Sequence, residues 1–133
     1  VHDLTEFDCI FLGSPCHAGD AAAQVKEFLQ GPPSAPGFKI AGFITHSAPV
    51  YKGDDFNQCM VTLETECRNK NIPYLGSYHC QGYLNPAIHD HVKKMKGFSD
   101  SEWKEKLEDM KGHPDSEDIK KAGEFARNIL ETL

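Results

Sequence analysis

Three short polar segments follow apolar runs, and they hold most of the side chains that could do chemistry. They span residues 13–20, 45–51 and 80–83 and contain histidine, cysteine, serine and threonine. Each follows a stretch with the pattern of a buried strand, and ligands of open α/β sheets bind beyond the carboxyl ends of the strands. We therefore expect the three segments to meet on one rim of the domain and to form a binding site there.

The residue spacing in these segments favours neither a metal site nor a hydrolytic nucleophile. His46, His79 and Cys80 could suggest a metal, but His79 and Cys80 are adjacent on a predicted strand and should point to opposite faces. Ser14 is followed by Pro15 and is not part of a Gly-x-Ser-x-Gly elbow. The sequence thus predicts no metal ligands and no catalytic residues.

The cysteine pattern indicates reduced thiols. The chain has five cysteines, an odd number, and contains no CxxC pair, so neither a disulfide framework nor a zinc ribbon fits. Cys16 could be a reactive thiol, but the sequence around it provides no resolving partner. We interpret it as a packing residue of an intracellular protein.

The segments that must position these loops alternate between strand and helix patterns. Residues 7–13, 39–45 and 74–80 are buried-strand runs, and residues 21–29 and 55–69 carry helical apolar stripes. This alternation implies right-handed crossovers and an α/β fold, with a parallel sheet and helices on both faces.

The pattern changes after Gly82. Residues 84–112 predict two short charged helices, and a capping box from Ser99 to Glu102 opens the second. A last helix is predicted from about residue 115 to 133. The apolar positions of these helices are Trp103, Leu107 and Met110, then Ile119, Ala122, Phe125, Ala126, Ile129 and Leu133.

Composition restricts the class of protein. A chain of 133 residues suits one domain, and its net charge of −6 argues against binding nucleic acid. The same charge is compatible with docking onto a basic surface of a partner protein. No apolar run approaches the ~20 residues of a membrane helix, and the first residues do not resemble a signal peptide. We expect a cytoplasmic protein that does not bind membranes.

Four segments, in order, resemble the flavodoxin-like family. They are Gly-Ser-Pro at 13–15 with Ala-Gly at 18–19, Phe-Ile-Thr-His at 43–46, Cys-Gln-Gly at 80–82, and residues 112–118 followed by a helix with Glu-Phe-Ala at 124–126. The resemblance covers nearly the whole chain except residues 84–111. It implies a single, partial flavodoxin-like domain over residues 1–133, in which residues 84–112 form a helical insertion before the last helix.

The resemblance implies that FMN lies between the first two segments. Ala18 and Gly19 are small and would let the backbone approach a flat ring. His17 occupies a position that often carries Tyr or Trp in the family, and Tyr51 or His46 could cover the other face of the ring. The cofactor-binding residues that the resemblance implies are Ser14, Pro15, Cys16, His17, Ala18, Gly19, Thr45, His46, Ser47, Ala48, Tyr51, Cys80 and Gly82.

The resemblance also implies an N-terminal portion that this sequence does not contain. Flavodoxin-like domains begin with a strand, a phosphate-binding loop, a helix and a second strand, and that loop supplies donors for the FMN phosphate. Without this βαβ portion, we expect the strand at residues 7–12 to present an unpaired edge. The missing portion or another chain would complete the sheet.

Three functions follow as hypotheses. The first is FMN-dependent electron transfer by a flavodoxin-type carrier that serves redox partner proteins, in which the cofactor does the chemistry. The second is an FMN reductase or quinone-reducing flavoenzyme, motivated by residues 84–112. The third is a flavin-free, flavodoxin-like protein-binding module. A homodimer through the exposed first strand or through the helical insertion is compatible with each.

Overall fold

Strands and helices alternate in the first part of the chain, and helices alone follow. A computed structural model describes residues 3–48 and 56–133. The strands are β1 (Cys9–His17), β2 (Asp20–Ala21), β3 (Lys39–His46) and β4 (Tyr74–Gln81). The helices are α1 (Ala23–Gln30), α2 (Asn57–Asn69), α3 (His89–Lys96), α4 (Asp100–Met110) and α5 (Ser116–Glu131), with a 3-10 turn at Pro86–Ile88 before α3.

The three long strands form a parallel sheet, which confirms the predicted α/β class. β3 lies in the middle and pairs in parallel with β1 on one side and with β4 on the other. The short β2 is antiparallel to the end of β1, so the strand order is β2-β1-β3-β4. The crossovers through α1 and α2 return each parallel strand to the same direction, as such connections require.

The prediction of a loop over residues 13–20 and of a helix from residue 21 was wrong. β1 continues to His17 and turns back as β2, and α1 begins only at Ala23. The turn residues Ala18 and Gly19 both have positive φ, 50° and 83°. Such φ values are typical of two-residue hairpin turns, but an alanine rarely adopts them, so the sequence carries little sign of the hairpin.

One face of the sheet packs against α1 and α2. Ile40 and Ile44 of β3 are fully buried there, against Leu29 of α1 and Leu63 of α2. Gly42 lies between the two isoleucines on the same face, where a side chain would meet neighbouring atoms. The absence of a side chain at Gly42 therefore lets α2 and β4 approach β3 closely.

The other face packs against α5. The ring of Phe43 meets that of Phe125 edge-to-face at 5.4 Å between centroids, and the Tyr78 hydroxyl donates to the carbonyl of Asp118 at 3.0 Å. The apolar stripe of α5 is only partly covered, because Ile119 near the start of the helix is 67% exposed. Helices thus lie on both faces of the sheet, as predicted.

The helices between residues 84 and 112 reach the carboxyl edge of the sheet. The predicted capping box is present: the Glu102 amide donates to Ser99 Oγ, and the Ser99 amide donates to Glu102 Oε2. Lys106 of α4 donates from Nζ to the carbonyl of Ser47 at 3.4 Å. That bond brings α4 beside the segment that follows β3. Across residues 3–48 and 56–133, no helix combines the length and the apolar character needed to span a membrane.

The outer edge of β1 is unpaired over most of its length. Only Cys16 and His17 pair with β2, and no other strand among the described residues lies on that side. On the face of β1 turned away from α1 and α2, Phe11 and Pro15 are exposed. The structure thus contains a free strand edge with an apolar flank, a feature that soluble proteins normally cover or pair.

Replacing Gly42 with alanine should destabilise the protein. The added Cβ would lie 2.5 Å from Ser77 Oγ, 2.9 Å from the Tyr74 hydroxyl and 3.1 Å from Leu63 Cδ1. The Ser77 and Tyr74 hydroxyls are hydrogen-bonded to each other, so neither can move without breaking that bond. We expect a loss of roughly 1–3 kcal/mol in the free energy of unfolding, as for other overpacked cores, measured by urea denaturation.

The matched control is Gly13→Ala. Gly13 lies on the neighbouring strand β1, and an added Cβ there would meet no atom within 4 Å. This variant should be as stable as the parent protein or slightly more stable, because alanine lowers the entropy of the unfolded chain. Equal destabilisation by both substitutions would contradict the steric explanation.

Candidate functional site

The three segments singled out in the sequence meet at the carboxyl edge of the sheet. Pro15 of β1 is in register with Thr45 of β3, and Thr45 is in register with Cys80 of β4. One residue further on, the Gly82 amide donates to the carbonyl of His46 at 2.7 Å. The ends of the three strands therefore lie in one row and form a single rim.

The buried Ser14 side chain holds the first segment together from within. The amide of Ala22 donates to Ser14 Oγ at 3.0 Å, and Ser14 Oγ donates to the carbonyl of Pro15 at 2.9 Å. The hydroxyl thus connects the end of β1 to the start of α1. Its hydrogen-bonding capacity is used inside the fold, so it contributes to the rim by placing the backbone.

Asp20 fastens the β1–β2 hairpin to both helices of this face. Its Oδ1 accepts from Thr62 Oγ1 at 2.6 Å and from the Ala21 amide at 2.7 Å, and its Oδ2 accepts from Lys26 Nζ at 3.0 Å. The Thr62 hydrogen bond is the main cause that lowers the pKa of Asp20. The hairpin is therefore held in one position over α1 and α2.

Cys16 lies under the hairpin in contact with Cys59 of α2. Cys16 packs against the buried cluster that contains Cys59, and Cys59 is completely buried. Burial, the Cys16 thiol and the Asp20 carboxylate together raise the pKa of Cys59. Sequence reasoning singled out Cys16 but not its partner, because Cys59 lies on a separate helix and shares no motif with it.

The buried His46 and the half-buried His79 form a hydrogen-bonded pair at the ends of β3 and β4. His46 Nδ1 donates to the carbonyl of Ala48 at 2.8 Å, so in the neutral ring Nε2 accepts from His79 Nδ1, at 3.0 Å. Phe56 stacks on both imidazoles, with centroids 4.0 Å from His46 and 4.3 Å from His79. Sequence reasoning named the two histidines together only as possible metal ligands and did not single out Phe56.

Burial keeps this histidine pair neutral. It lowers the pKa of His46 from 6.5 to about 4 and also lowers the pKa of His79. Cys80 lies on the α5 face, where burial first and then Asp118 and Asp115 raise the pKa of its thiol. His79 and Cys80 thus point to opposite faces of the sheet, as the sequence predicted, and do not converge on one site.

The remaining rim residues differ in exposure. Pro15, His17 and Thr45 are exposed, Ser47 and Gly82 are half-buried, and Ala48 is buried. Tyr51, a predicted site residue, lies outside the described residues. Among the described rim residues, the accessible surface thus combines backbone, small side chains, the His17 imidazole and the exposed ring of Tyr83, which suits contact with a flat aromatic ring.

The start of α1 is not suited to a phosphate group. The amides of Ala21 and Ala22, just before the helix, donate to Asp20 and Ser14, and the Asp20 carboxylate beside the helix start would repel an anion. A helix start attracts anions through its amides and the positive end of its dipole, and a neighbouring carboxylate opposes that attraction. Within the part of the chain that the structure describes, the Asp20 carboxylate therefore disfavours a phosphate at this helix start.

A histidine and two aspartates cluster at the start of α5. Ligating atoms of His113, Asp115 and Asp118 lie within 4.8 Å of one another. Asp118 Oδ2 accepts from His113 Nδ1 and from the Asp115 amide, while Asp115 Oδ1 accepts from the Asp118 amide. These bonds form the capping box of α5, which explains the cluster as a structural element.

An apolar concavity lies at the opposite end of the sheet. It encloses about 590 Å³ and is lined by Leu4, Phe28, Pro33 and Phe38, among others. Phe38 immediately precedes β3, so this groove faces the amino ends of the parallel strands. Ligand sites of open parallel sheets lie at the carboxyl ends, which favours the rim as the functional site.

The histidine pair should make the protein less stable in acid. Because the pKa of His46 is about 4 in the folded protein and 6.5 is its ordinary value, the unfolded chain binds the proton first as the pH falls. We expect His46 to remove about 3 kcal/mol from the free energy of unfolding between pH 6.5 and 4. Urea denaturation over this range measures the effect.

His46→Phe isolates the contribution, since phenylalanine can stack on Phe56 but cannot be protonated. The stability of this variant relative to the parent protein should improve steadily from pH 6.5 to 4. His91→Gln serves as the control, because His91 is exposed and its replacement should leave the pH profile unchanged. Parallel profiles for His46→Phe and the parent protein would show that the histidine pair does not control acid stability.

Comparison with known proteins agrees with this architecture. The family model for the flavodoxin domain matches residues 1–127, a range that includes the helices between residues 84 and 112. No curated protein matches the chain. Flavodoxin domains generally bind flavin and serve redox functions, and the parallel sheet of this chain is consistent with their fold. The chain belongs to the flavodoxin domain family.

Proposed function

We propose that this protein binds FMN at the carboxyl rim and carries electrons between partner proteins in the cytoplasm. The observation that carries the proposal is the in-register row of Pro15, Thr45 and Cys80 in a flavodoxin domain. This row brings three strand ends, which carry several small residues, to one surface. A bound flavin supplies the redox chemistry at such a site.

The β1–β2 hairpin would hold one side of the flavin ring. Its tip, Ala18 and Gly19, has no bulky side chain, and the exposed His17 precedes it. An imidazole offers a smaller face than the Tyr or Trp that this position often carries in the family. Like those side chains, it can donate a hydrogen bond. Thr45, Ser47 and the backbone around Gly82 would line the rest of the rim.

The FMN phosphate would bind away from the start of α1. The Asp20 carboxylate lies beside that helix start and would repel the phosphate, and the amides of Ala21 and Ala22 before it are occupied. We propose that the phosphate donors belong to polypeptide that pairs along the free edge of β1, either in the same protein or in a second copy. A strand added there would lie next to the rim and would cover Phe11 as well.

Electron transfer between proteins fits the side chains of the rim. The histidine pair is neutral, and its hydrogen bonds are directed into the fold, so neither histidine is presented as a general acid or base. A carrier needs no such group, because electrons pass through the flavin itself. The net charge of −6 would guide docking onto a basic partner surface.

An FMN-dependent reductase is the second candidate. The hydrogen bond from Lys106 to Ser47 holds α4 beside the rim, where a helix could cover a substrate such as a quinone. Steady-state turnover of NAD(P)H or a quinone by the flavin-loaded protein would favour the reductase. Electron exchange with other redox proteins, without such turnover, would favour the carrier.

The first test is the visible absorption spectrum of the purified protein. We expect two flavin bands, or their appearance after addition of FMN and removal of the excess. Release of the pigment by heat and its chromatographic identification distinguish FMN from other flavins. A protein that stays colourless in excess FMN would exclude both flavin functions and leave a flavin-free binding module.

Gly19→Val tests the position of the ring. The side chain would project from the hairpin tip, so we expect FMN affinity to fall at least tenfold in a titration that follows flavin fluorescence. Gly97→Val is the matched control, because Gly97 also has positive φ but ends α3, away from the strand ends. An equal loss of affinity in both variants, or in neither, would argue against ring binding at the hairpin.

A further inference from the structure

Two contacts fasten the β1–β2 hairpin to a single face of α2. Cys59 and Thr62 lie one helical turn apart on that face. Thr62 donates to Asp20 at 2.6 Å. Cys16 packs against the buried cluster that contains Cys59, near enough to help raise the pKa of the Cys59 thiol. Cys16 pairs across the hairpin with Ala21, the residue after Asp20. The thiol contact is therefore supported by a neighbouring hydrogen bond.

We propose that Cys16 and Cys59 form a redox-active dithiol, which a low-molecular-weight disulfide such as oxidised glutathione converts to an intramolecular disulfide. First, the Cys16 thiolate attacks the reagent, forms a mixed disulfide and releases one glutathione. The Cys59 thiolate then attacks the Cys16 sulfur and releases the second glutathione. The two protein thiols lose two electrons to the reagent, and their protons end on the two released thiols.

The order of the two steps follows from access. Cys16 is half-buried at the base of the hairpin, whereas Cys59 is fully buried. An external disulfide can therefore reach Cys16 but not Cys59. Burial also raises the pKa of Cys59, so few Cys59 thiolates exist at neutral pH and the second step should be the slower one.

The other three cysteines are placed differently. Cys9 is at the opposite end of β1, next to Lys39 of β3. Cys67 lies on α2 beyond Leu63, in the core, and Cys80 lies on the α5 face of the sheet. These positions make Cys9 and Cys67 matched controls for the two members of the pair.

Disulfide formation would tie the hairpin covalently to α2. The hairpin contains His17 and its turn, Ala18 and Gly19, so the bond would fix the part of the rim nearest to Cys16. The inference concerns the thiols alone and does not depend on the proposed flavin function. Its tests read thiol chemistry and are independent of whether flavin binds.

The test is oxidation of the reduced protein with glutathione disulfide, followed by mass spectrometry. We expect the product to lose two of its five free thiols, to weigh two hydrogen atoms less, and to give one cross-linked peptide that contains Cys16 and Cys59. Cys16→Ser should abolish this product. Cys59→Ala should stop the reaction at the Cys16–glutathione adduct. In Cys9→Ser and Cys67→Ala, the disulfide between Cys16 and Cys59 should form as it does in the parent protein.

A second measurement does not depend on how the variants fold. Phenylarsine oxide binds two adjacent thiols, so the reduced parent protein should take up one equivalent and protect Cys16 and Cys59 from alkylation. Protection of a different pair would overturn the proposal. It would also be overturned if the parent protein retained glutathione on Cys16 without closing the disulfide.

Discussion

The parallel pairing of β1, β3 and β4 is the constraint on which the other features depend. Because the strands run in the same direction and in register, Pro15, Thr45 and Cys80 lie in one row, and the three segments that follow them share one edge. The pairing requires crossovers through α1 and α2 to pack closely on the sheet. Gly42 permits this approach, since its position is crowded by atoms of α2 and β4.

Two buried polar side chains and the half-buried Asp20 then position the backbone of the rim. Ser14 connects β1 to α1, Asp20 connects the hairpin to α1 and α2, and His46 connects the ends of β3 and β4. In the described part of the chain, no buried side-chain nitrogen or oxygen lacks a hydrogen-bond partner. A buried polar group without a partner would cost stability, so these bonds hold the backbone of the rim in place.

The free edge of β1 and the helices after β4 leave two ways to complete the rim. A strand added to β1 would extend the sheet beside the hairpin, while α4 already lies near Ser47 through Lys106. An added strand and helix α4 are both compatible with a cofactor that performs its own chemistry, because the rim itself presents few titratable groups. The thiol pair below the hairpin adds a separate chemical feature to the same corner of the fold.

Local sequence patterns determined the alternation of strands and helices, the Ser99 capping box, the opposed side chains of His79 and Cys80, and the family resemblance. These features depend on residues near one another in the chain, through side-chain periodicity and capping. Only the tertiary structure decided the hairpin after His17, the internal role of Ser14, and the Cys16–Cys59 and His46–His79 contacts. Each of the last two joins residues on different elements, so it depends on how those elements pack, which local spacing does not encode.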